Sequence, residues 1–426
     1  MRRDVLDRAA RDGNHQQPDV ERFLTVPGPD PVGNPRLVRI FPTRAPHQLG
    51  RPQKRDIRGG HDHSLLVDAG SYPNPARARP VQAIATGSIL PAVSAPVAIS
   101  KTLAGHQPVL RDEVIAALRP HAGGRYLDAT FGGGGHTCAL LDAAVPDGMV
   151  LALDTDPEAI DRALTLHREP GIADRLVPVR ANFATLAAVA RDYGFVPLDG
   201  ILLDLGLSSF QLDQPERGFA FRSAGPLDMR FDPERGRPAR DLVNTLSEPA
   251  LADLIWRYGE EPGSRRIARA IVRERELEPI ATTTRLAEIA ARAVGGRRGR
   301  DTHPATRTFQ ALRIATNEEL AALEAALAGA VDVLAPAGRL VVIAFHSLED
   351  RIVKRFIERE SAGCVCPPRT PICICGQIPR LRKVTRRAVR PDATEIDGNP
   401  RARSAVLRVA ELLPEPLADV APGTRA

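Results

Sequence analysis

Four consecutive glycines, Gly132 to Gly135, separate an apolar run ending at Asp128 from His136 in "YLDATFGGGGH". Glycines placed between a strand and a helix let the backbone approach a ligand closely and leave amide N–H groups free to face it. A second carboxylate, Asp154, closes the next apolar run in "VLALDTDP". It lies about twenty residues beyond the loop, where nucleotide-type folds keep an acid for ribose hydroxyls. Together these residues point to a nucleotide-like cofactor. The dinucleotide fingerprint G-x-G-x-x-G does not fit well, because its sixth position, counted from Gly132, is Thr137. Asp128 ahead of the loop suits a cofactor with a cationic amino-acid head, such as S-adenosylmethionine, better than a pyrophosphate. NAD and a ligand-free turn stay open as alternatives.

A third carboxylate, Asp204, ends another apolar run in "ILLDLGLSSFQLD". Amine methyltransferases place an acid or amide at that strand end. The exocyclic amine of cytosine is a weak nucleophile because its lone pair is delocalised into the ring. An acceptor that holds its N–H protons localises that pair and aims it at the methyl donor, and no metal is required. The competing role for Asp204 is a strand-end turn former. His346 in "AFHSLED" also follows an apolar run; it is a candidate to face the target base, or else a satisfied structural histidine. Four of the five cysteines crowd into "CVCPPRTPICIC" as Cys364, Cys366, Cys373 and Cys375. Thiolates this close could ligate one Zn ion, although zinc ribbons favour C-x-x-C over C-x-C. Free thiols and disulfides remain the alternatives.

The elements that must position these groups alternate in the manner of a βαβ protein. Strands are predicted over 126–130, 149–153, 176–180 and 200–205, with helices over 139–144, 157–166 and 183–193. That rhythm predicts a parallel, doubly wound sheet. It breaks over 213–312, which reads as mainly helical, with Ser247, Ser264 and Thr284 as helix starts. It then resumes with a helix over 318–334, a strand over 339–345, a helix over 349–360 and a strand over 405–409.

Residues 1–100 differ from the rest. They are rich in proline and hold about 14 Lys/Arg against 9 Asp/Glu, so most of the chain's net charge of +6 belongs to them. They read as a disordered tail or as an upstream-misplaced start, with a basic RNA-gripping arm as the alternative. The remainder is close to neutral, so overall charge says little about the folded part. Local basic segments lie at 257–313, with 13 basic against 7 acidic residues, and at 380–408, with 9 against 3. No apolar run reaches the length of a membrane span, and few cysteines point to a reducing, cytoplasmic setting. Nothing in the sequence sets the oligomeric state.

Eight segments in fixed order carry a family resemblance: "HQPVL", "DATFGGGGH", "DLGLSSFQLD", "GPLDMR", "YGEEPGSRRIARAI", "HPATRTFQALRI", "AFHSLEDRIVKRF" and "NPRARSAVLR". From about 106 to 408 the chain resembles the bacterial 16S rRNA (cytosine-N4)-methyltransferases of the RsmH/MraW family. The resemblance implies an α/β fold: a class I S-adenosylmethionine methyltransferase (Rossmann-like) core over 101–212 and 313–426, with a helical insertion for substrate recognition over 213–312. It implies S-adenosylmethionine as cofactor and a decoding-site cytosine of 16S rRNA, in the small ribosomal subunit, as acceptor. The cofactor contacts it implies are Gly134, Gly135, His136, Asp154, Phe183, Asp204 and Gln211, with the base turned out of its stack beside Asp204. A DNA amine methyltransferase is the runner-up, disfavoured because "DLGLSS" replaces the D/N/S-P-P-Y/F signature. A catalytically inactive RNA-binding assembly factor is the third reading, opposed by intact Asp154 and Asp204.

Overall fold

The structure is a computed structural model that describes residues 24–29, 35–38, 108–296, 303–367, 370 and 372–414. It divides into two units, 1–90 and 91–426. In the first, strands β1 (Leu24–Pro29) and β2 (Pro35–Val38) pair antiparallel, in a stretch where no strand period was evident from sequence. Otherwise the expectation of a disordered or mis-started N-terminal extension lies outside the described residues, as do His106 and Gln107 of "HQPVL".

The second unit is built on a seven-stranded sheet. Its strands are β3 (Arg125–Asp128), β4 (Met149–Asp154), β5 (Leu176–Arg180), β6 (Leu198–Asp204), β7 (Leu334–Ala344), β8 (Leu381–Lys383) and β9 (Val406–Leu412), in the order β5-β4-β3-β6-β7-β9-β8. The first five run parallel. The expectation of a parallel sheet fails at its far edge, where β9 inserts antiparallel between β7 and β8. This order, with the penultimate strand reversed, is the class I methyltransferase fold. The sequence reverses direction around β3: β4 and β5 lie on one side, β6 and β7 on the other. Ligands of open α/β sheets bind at such a switch point, above the carboxyl ends of the strands.

Both faces of the sheet are buried, so its strands are nearly continuous apolar runs. The period of two still sorts them. Leu127, Leu151, Leu153, Ile201, Leu203, Leu340 and Val342 face one core. That core is completed by α4 (Leu186–Asp192), α11 (Glu319–Val331) and α12 (Ser347–Glu360). Tyr126, Val150, Ala152, Leu202, Val341 and Ile343 face the other. Against them pack α1 (Arg111–Leu118), α2 (Gly135–Ala143) and α3 (Pro157–His167). Helix α2 begins four residues earlier than the apolar pattern suggests, so Gly135 and His136 belong to its first turn. The helix expected over 183–193 opens instead as a 3-10 turn, Phe183–Thr185, because Asn182 caps it by accepting from the Ala184 amide.

A short helix, α5 (Ser209–Asp213), leads into a helical lobe: α6 (Ala239–Thr245), α7 (Glu248–Gly259), α8 (Ser264–Leu277), α9 (Thr283–Ala293) and α10 (Thr306–Asn317). The lobe has its own core, including Leu227, Met229, Val243, Ile255, Ile271, Leu286 and Phe309. Ser247 caps α7 as expected. Two other helix starts shift: Gly263 precedes α8 and Thr282 caps α9, where Ser264 and Thr284 were expected. Residues 297–302 of the basic "GGRRGRDT" stretch lie outside the described residues. The short helix α13 (Ala393–Gly398) precedes β9.

Where the lobe returns to the sheet, Arg313 of α10 makes a bidentate pair with Glu319 of α11 (2.7 and 2.8 Å); Glu319 is buried, the Arg313 side chain is 13% exposed, and Glu349 stands 4.0 Å away. Removing one partner of such a pair strands an uncompensated charge. Arg313→Met is therefore expected to lower unfolding stability by about 3–5 kcal/mol in urea titrations. A change below about 1 kcal/mol, the range of an exposed pair, would contradict this role.

Candidate functional site

Three adjacent strands, β4, β3 and β6, each end on an aspartate: Asp154, Asp128 and Asp204. Above these ends lies one cavity lined by Pro108, Thr130, Gly132, Gly133, Gly135, His136, Asp154, Phe183, Asp204, Gln211, Phe231, Phe345, Arg401 and their neighbours. Of the residues singled out in the sequence, Gly135, His136, Asp154, Phe183, Asp204 and Gln211 meet in this space. Gly134 does not line it; with φ of +79° it turns the chain into α2. Asp128 does not line it either.

Asp128 lies under the loop, 1% exposed. One oxygen accepts from the Thr130 amide (3.1 Å) and the other from the Thr137 hydroxyl (2.7 Å). Burial outweighs these bonds and pushes its carboxyl up to about 6. It braces the loop from strand to helix and does not reach the cavity. Asp154 accepts from the Gly132 amide (2.8 Å) and the Asp156 amide (2.9 Å), which leaves each oxygen a further lone pair for a hydroxyl. Burial, opposed by those two donors and reinforced by Asp156 and Asp128, raises it to about 6.

The loop itself is clamped. Gly132, at φ +52°, turns its carbonyl toward Arg162 of α3, whose Nε and Nη2 donate to it at 3.3 and 3.2 Å. The same guanidinium lies 4.2 Å from the centre of the Phe210 ring. A Cβ at Gly133 would come within 3.0 Å of that ring, and one at Gly135 within 3.0 Å of Pro108. The glycines are therefore required by close approach on both sides of the loop. The opening amides of α2 have no carbonyl of their own helix to bond, and two of the residues that carry them, Gly135 and His136, line the cavity.

Gln211 is held at both ends. Its Oε1 accepts from the Ser208 amide in a capping box, and its Nε2 donates to Asp156 (2.8 Å). Asp156 also accepts from Arg217 (2.9 Å), whose other nitrogen donates to the carbonyls of Arg230 and Phe231. Asn317 closes this latch by accepting from the Phe231 amide (2.8 Å) and donating to the Met229 carbonyl (2.7 Å). The segment "GPLDMR" thus carries Phe231 to the cavity wall.

Asp204 stands differently. Its amide donates to the Thr130 hydroxyl (2.8 Å), while its Oδ1 is buried without a partner. Burial, with the Asp128 and Glu349 carboxylates adding to it, pushes Asp204 well above the ordinary carboxylate value of 3.8. His136 Nε2 is 3.6 Å from its Oδ2, and neither ring nitrogen of His136 has a hydrogen-bond partner. Burial and the nearby Arg111 charge lower His136 to about 4, so the ring is neutral near pH 7.

His346 is absent from the cavity lining; its neighbour Phe345 takes that place. The His346 ring caps α12: its Nδ1 accepts from the Glu349 amide (3.4 Å) and its Nε2 lies 3.1 Å from Glu349 Oε1. Glu349 in turn accepts from the Phe345 and His346 amides. The structure thus gives His346 a capping position at the start of α12, outside the cavity lining. Sequence reasoning missed Thr130, Arg162, Phe210, Phe231, Phe345 and Arg401. All but Arg162 lie in or directly beside motifs already singled out, which was their only signal.

The profile of the MraW methylase family matches residues 103–413. The chain belongs to that family. Relatives named "Ribosomal RNA small subunit methyltransferase H" include those of Thermomicrobium roseum, Dehalococcoides mccartyi and Carboxydothermus hydrogenoformans. The first is 61% identical over 72% of this chain and 93% of the relative. The second is 52% identical over 73% and 87%, and the third 49% over 72% and 98%. Among solved structures, an rRNA methylase from Streptococcus thermophilus is 12% identical over 71% of this chain and 94% of its own, with a TM-score of 0.32. A likeness that weak adds nothing to the fold argued above. No helix among the described residues is long and apolar enough to cross a membrane.

The raised carboxylates set a pH dependence. A group raised from 3.8 to about 6 by folding contributes stability that is complete below pH 3.8 and lost as pH rises through about 6. For Asp128 that contribution is about 3 kcal/mol. Asp128→Asn keeps the shape and removes the titration; its Oδ1 accepts from the Thr130 amide, and its Nδ2 donates to the Thr137 hydroxyl, reversing that bond. Its unfolding free energy, measured by urea between pH 4 and pH 7, is expected to fall less steeply than that of the wild type. An unchanged slope would contradict the buried-acid assignment.

Proposed function

We propose that the chain transfers a methyl group from S-adenosylmethionine to N4 of a decoding-site cytosine in 16S rRNA of the small ribosomal subunit, in the cytoplasm. The observation that carries the donor is the sign of the cavity. Asp154 and Asp204 line it, Asp128 lies beneath, and all three are raised by burial or by one another's charge. Such a cluster is stabilised by a cation and repels a pyrophosphate, which favours a sulfonium cofactor over NAD. The acceptor reading is supported by the names of the relatives in this family.

The residues present fit that cofactor. Asp204 Oδ1 and both His136 ring nitrogens are buried polar atoms at the cavity wall that lack partners. Asp154 keeps lone pairs for ribose hydroxyls, and the first amides of α2 suit a carboxylate. Phe183 offers an apolar face to an adenine. When bound, S-adenosylmethionine supplies an electrophilic methyl carried on a sulfonium. The protein's part is to bring a weakly nucleophilic amine into line and to manage its proton. Asp204 holds an N–H of the base amine through its free oxygen, and the amine's departing proton passes to that carboxyl. Its raised pKa makes it a better base than an ordinary aspartate. His136, neutral and with Nε2 3.6 Å from Oδ2, packs beside the Asp204 carboxyl and acts as a positioning residue by limiting where it can swing. Phe231 and Phe345 exclude water from the reacting centre.

The helical lobe offers a surface for the RNA. Trp256 is 55% exposed on α7, in a groove with Arg265 and Arg269 of α8 and with Glu248 and Asp253 of α7, Arg269 being 3.4 Å from Glu248. An exposed indole beside guanidinium groups stacks unpaired bases while the arginines meet phosphates. Small subunits incubated with methyl-labelled S-adenosylmethionine are expected to carry label on N4 of one 16S cytosine; label on cytosine carbon-5, on DNA or on protein would overturn the assignment. Asp204→Ala is expected to lose transfer, and normal turnover would remove Asp204 from the reaction. Trp256→Ala is expected to raise KM for the subunit about tenfold, as for one lost stacking contact, with kcat unchanged; an unchanged KM would exclude this groove.

A further inference from the structure

The segment joining α12 to β8 holds four cysteines and no buried side chain among its described residues. Val365, Ile372, Ile374 and Ile378 are all exposed, Ile374 to 85%. Hydrophobic burial therefore cannot explain why this stretch is folded back on itself. The sulfurs offer another explanation. Cys373 Sγ lies 3.4 Å from Cys364, 3.5 Å from Cys375 and 3.9 Å from Cys366, and Cys375 lies 3.9 Å from Cys364. All four fall within 4.8 Å of one another. A tetrahedral zinc tetrathiolate with Zn–S near 2.3 Å has an S···S edge of about 3.8 Å. The observed separations scatter around that value and are far from a disulfide's bonded distance of about 2.0 Å.

The unusual C-x-C spacing has a physical reading. In an extended stretch, residues two apart point to the same side. The four sulfurs thus gather on one side, with the side chains between them, Val365 and Ile374, left exposed. The Val365 amide donates to Cys375 Sγ (3.4 Å), the kind of N–H···S contact that stabilises a metal-bound thiolate. The base of the segment is closed by the Arg380 amide, which donates to the Glu360 carbonyl (2.8 Å).

We infer that Cys364, Cys366, Cys373 and Cys375 bind one zinc ion as a closed tetrathiolate that staples this segment. The ion takes the place of four thiol protons, which are released to solvent on binding. Its position makes it structural. Helix α12 leaves the sheet at the cavity end and runs 14 residues, about 21 Å, toward the opposite edge. Strand β8, parallel to β7 through their shared antiparallel partner β9, starts from that same opposite edge. All four thiolates are spent on coordination, so no position is open for substrate.

The test uses the full chain, purified under reducing conditions without chelator. Elemental analysis is expected to find one zinc per chain. After metal removal, cobalt(II) titration is expected to give the intense visible ligand-field bands of a tetrahedral tetrathiolate. The double variant Cys364→Ser/Cys366→Ser is expected to lose both signals, and limited proteolysis between α12 and β8 is expected to speed up in that variant and in the stripped wild type. If the variant fails to fold, the cobalt spectrum of the wild type decides. Reduced wild-type chain with no zinc and no tetrathiolate spectrum would overturn the site, as would zinc that survives the double substitution. Two disulfides among these cysteines in the reduced preparation, or iron in place of zinc, would overturn it equally.

Discussion

Three carboxylates stand side by side at the ends of three neighbouring strands, and the architecture of the site follows from having to keep them there. Buried acids lose their hydration, and Asp154 and Asp204 also feel the Asp128 charge, which is why all three lie above their ordinary range. Each is handled differently. Asp128 is sealed under the loop by Thr130 and Thr137. Asp154 is half satisfied by the Gly132 and Asp156 amides. Asp204 keeps an oxygen unpaired at the cavity wall. The gradient from sealed to open runs from the loop brace, Asp128, to the cavity wall at Asp204.

The glycine loop can hold its shape over this acidic row because other elements grip it from outside. Arg162 reaches from α3 to the Gly132 carbonyl and stacks on Phe210, so one cation steadies the loop and the wall opposite. Arg217 plays the corresponding part for the helical lobe, tying Asp156 beside the cofactor strand to the carbonyls that precede and include Phe231. The lobe and the core are therefore joined at the site itself, which is where an acceptor carried by the lobe would have to meet a donor held by the core.

Much of this was legible in the sequence, for reasons particular residues make plain. Strands ending in Asp128, Asp154 and Asp204 announce themselves as apolar runs closed by an acid, and Ser247 with Pro249 marks a helix start unambiguously. The reversed strand β9 was not legible, because whether a last strand inserts before or after its predecessor is decided by contacts far apart in the chain. Strand β8 has three residues and no periodicity to show. Arg162 and Arg217 were invisible for the same reason as β9: their partners lie 30 and 61 positions away. His346 is the instructive case. Glu349 three residues later completes a capping box, a pattern readable in principle but obscured because histidine is an unusual cap. Gln211 reads as a binding amide, and the structure places it in the cavity wall with one acceptor and one donor site already used, on Ser208 and Asp156.

The claim that a cationic donor sits over the carboxylate row is tested most directly by calorimetric titration of S-adenosylmethionine into the chain, beside the same titration with NAD. The account predicts one S-adenosylmethionine bound per chain, binding abolished or severely weakened in Asp154→Ala, and no measurable affinity for NAD. Absence of S-adenosylmethionine binding, equal affinity for NAD, or affinity untouched by Asp154→Ala would contradict it.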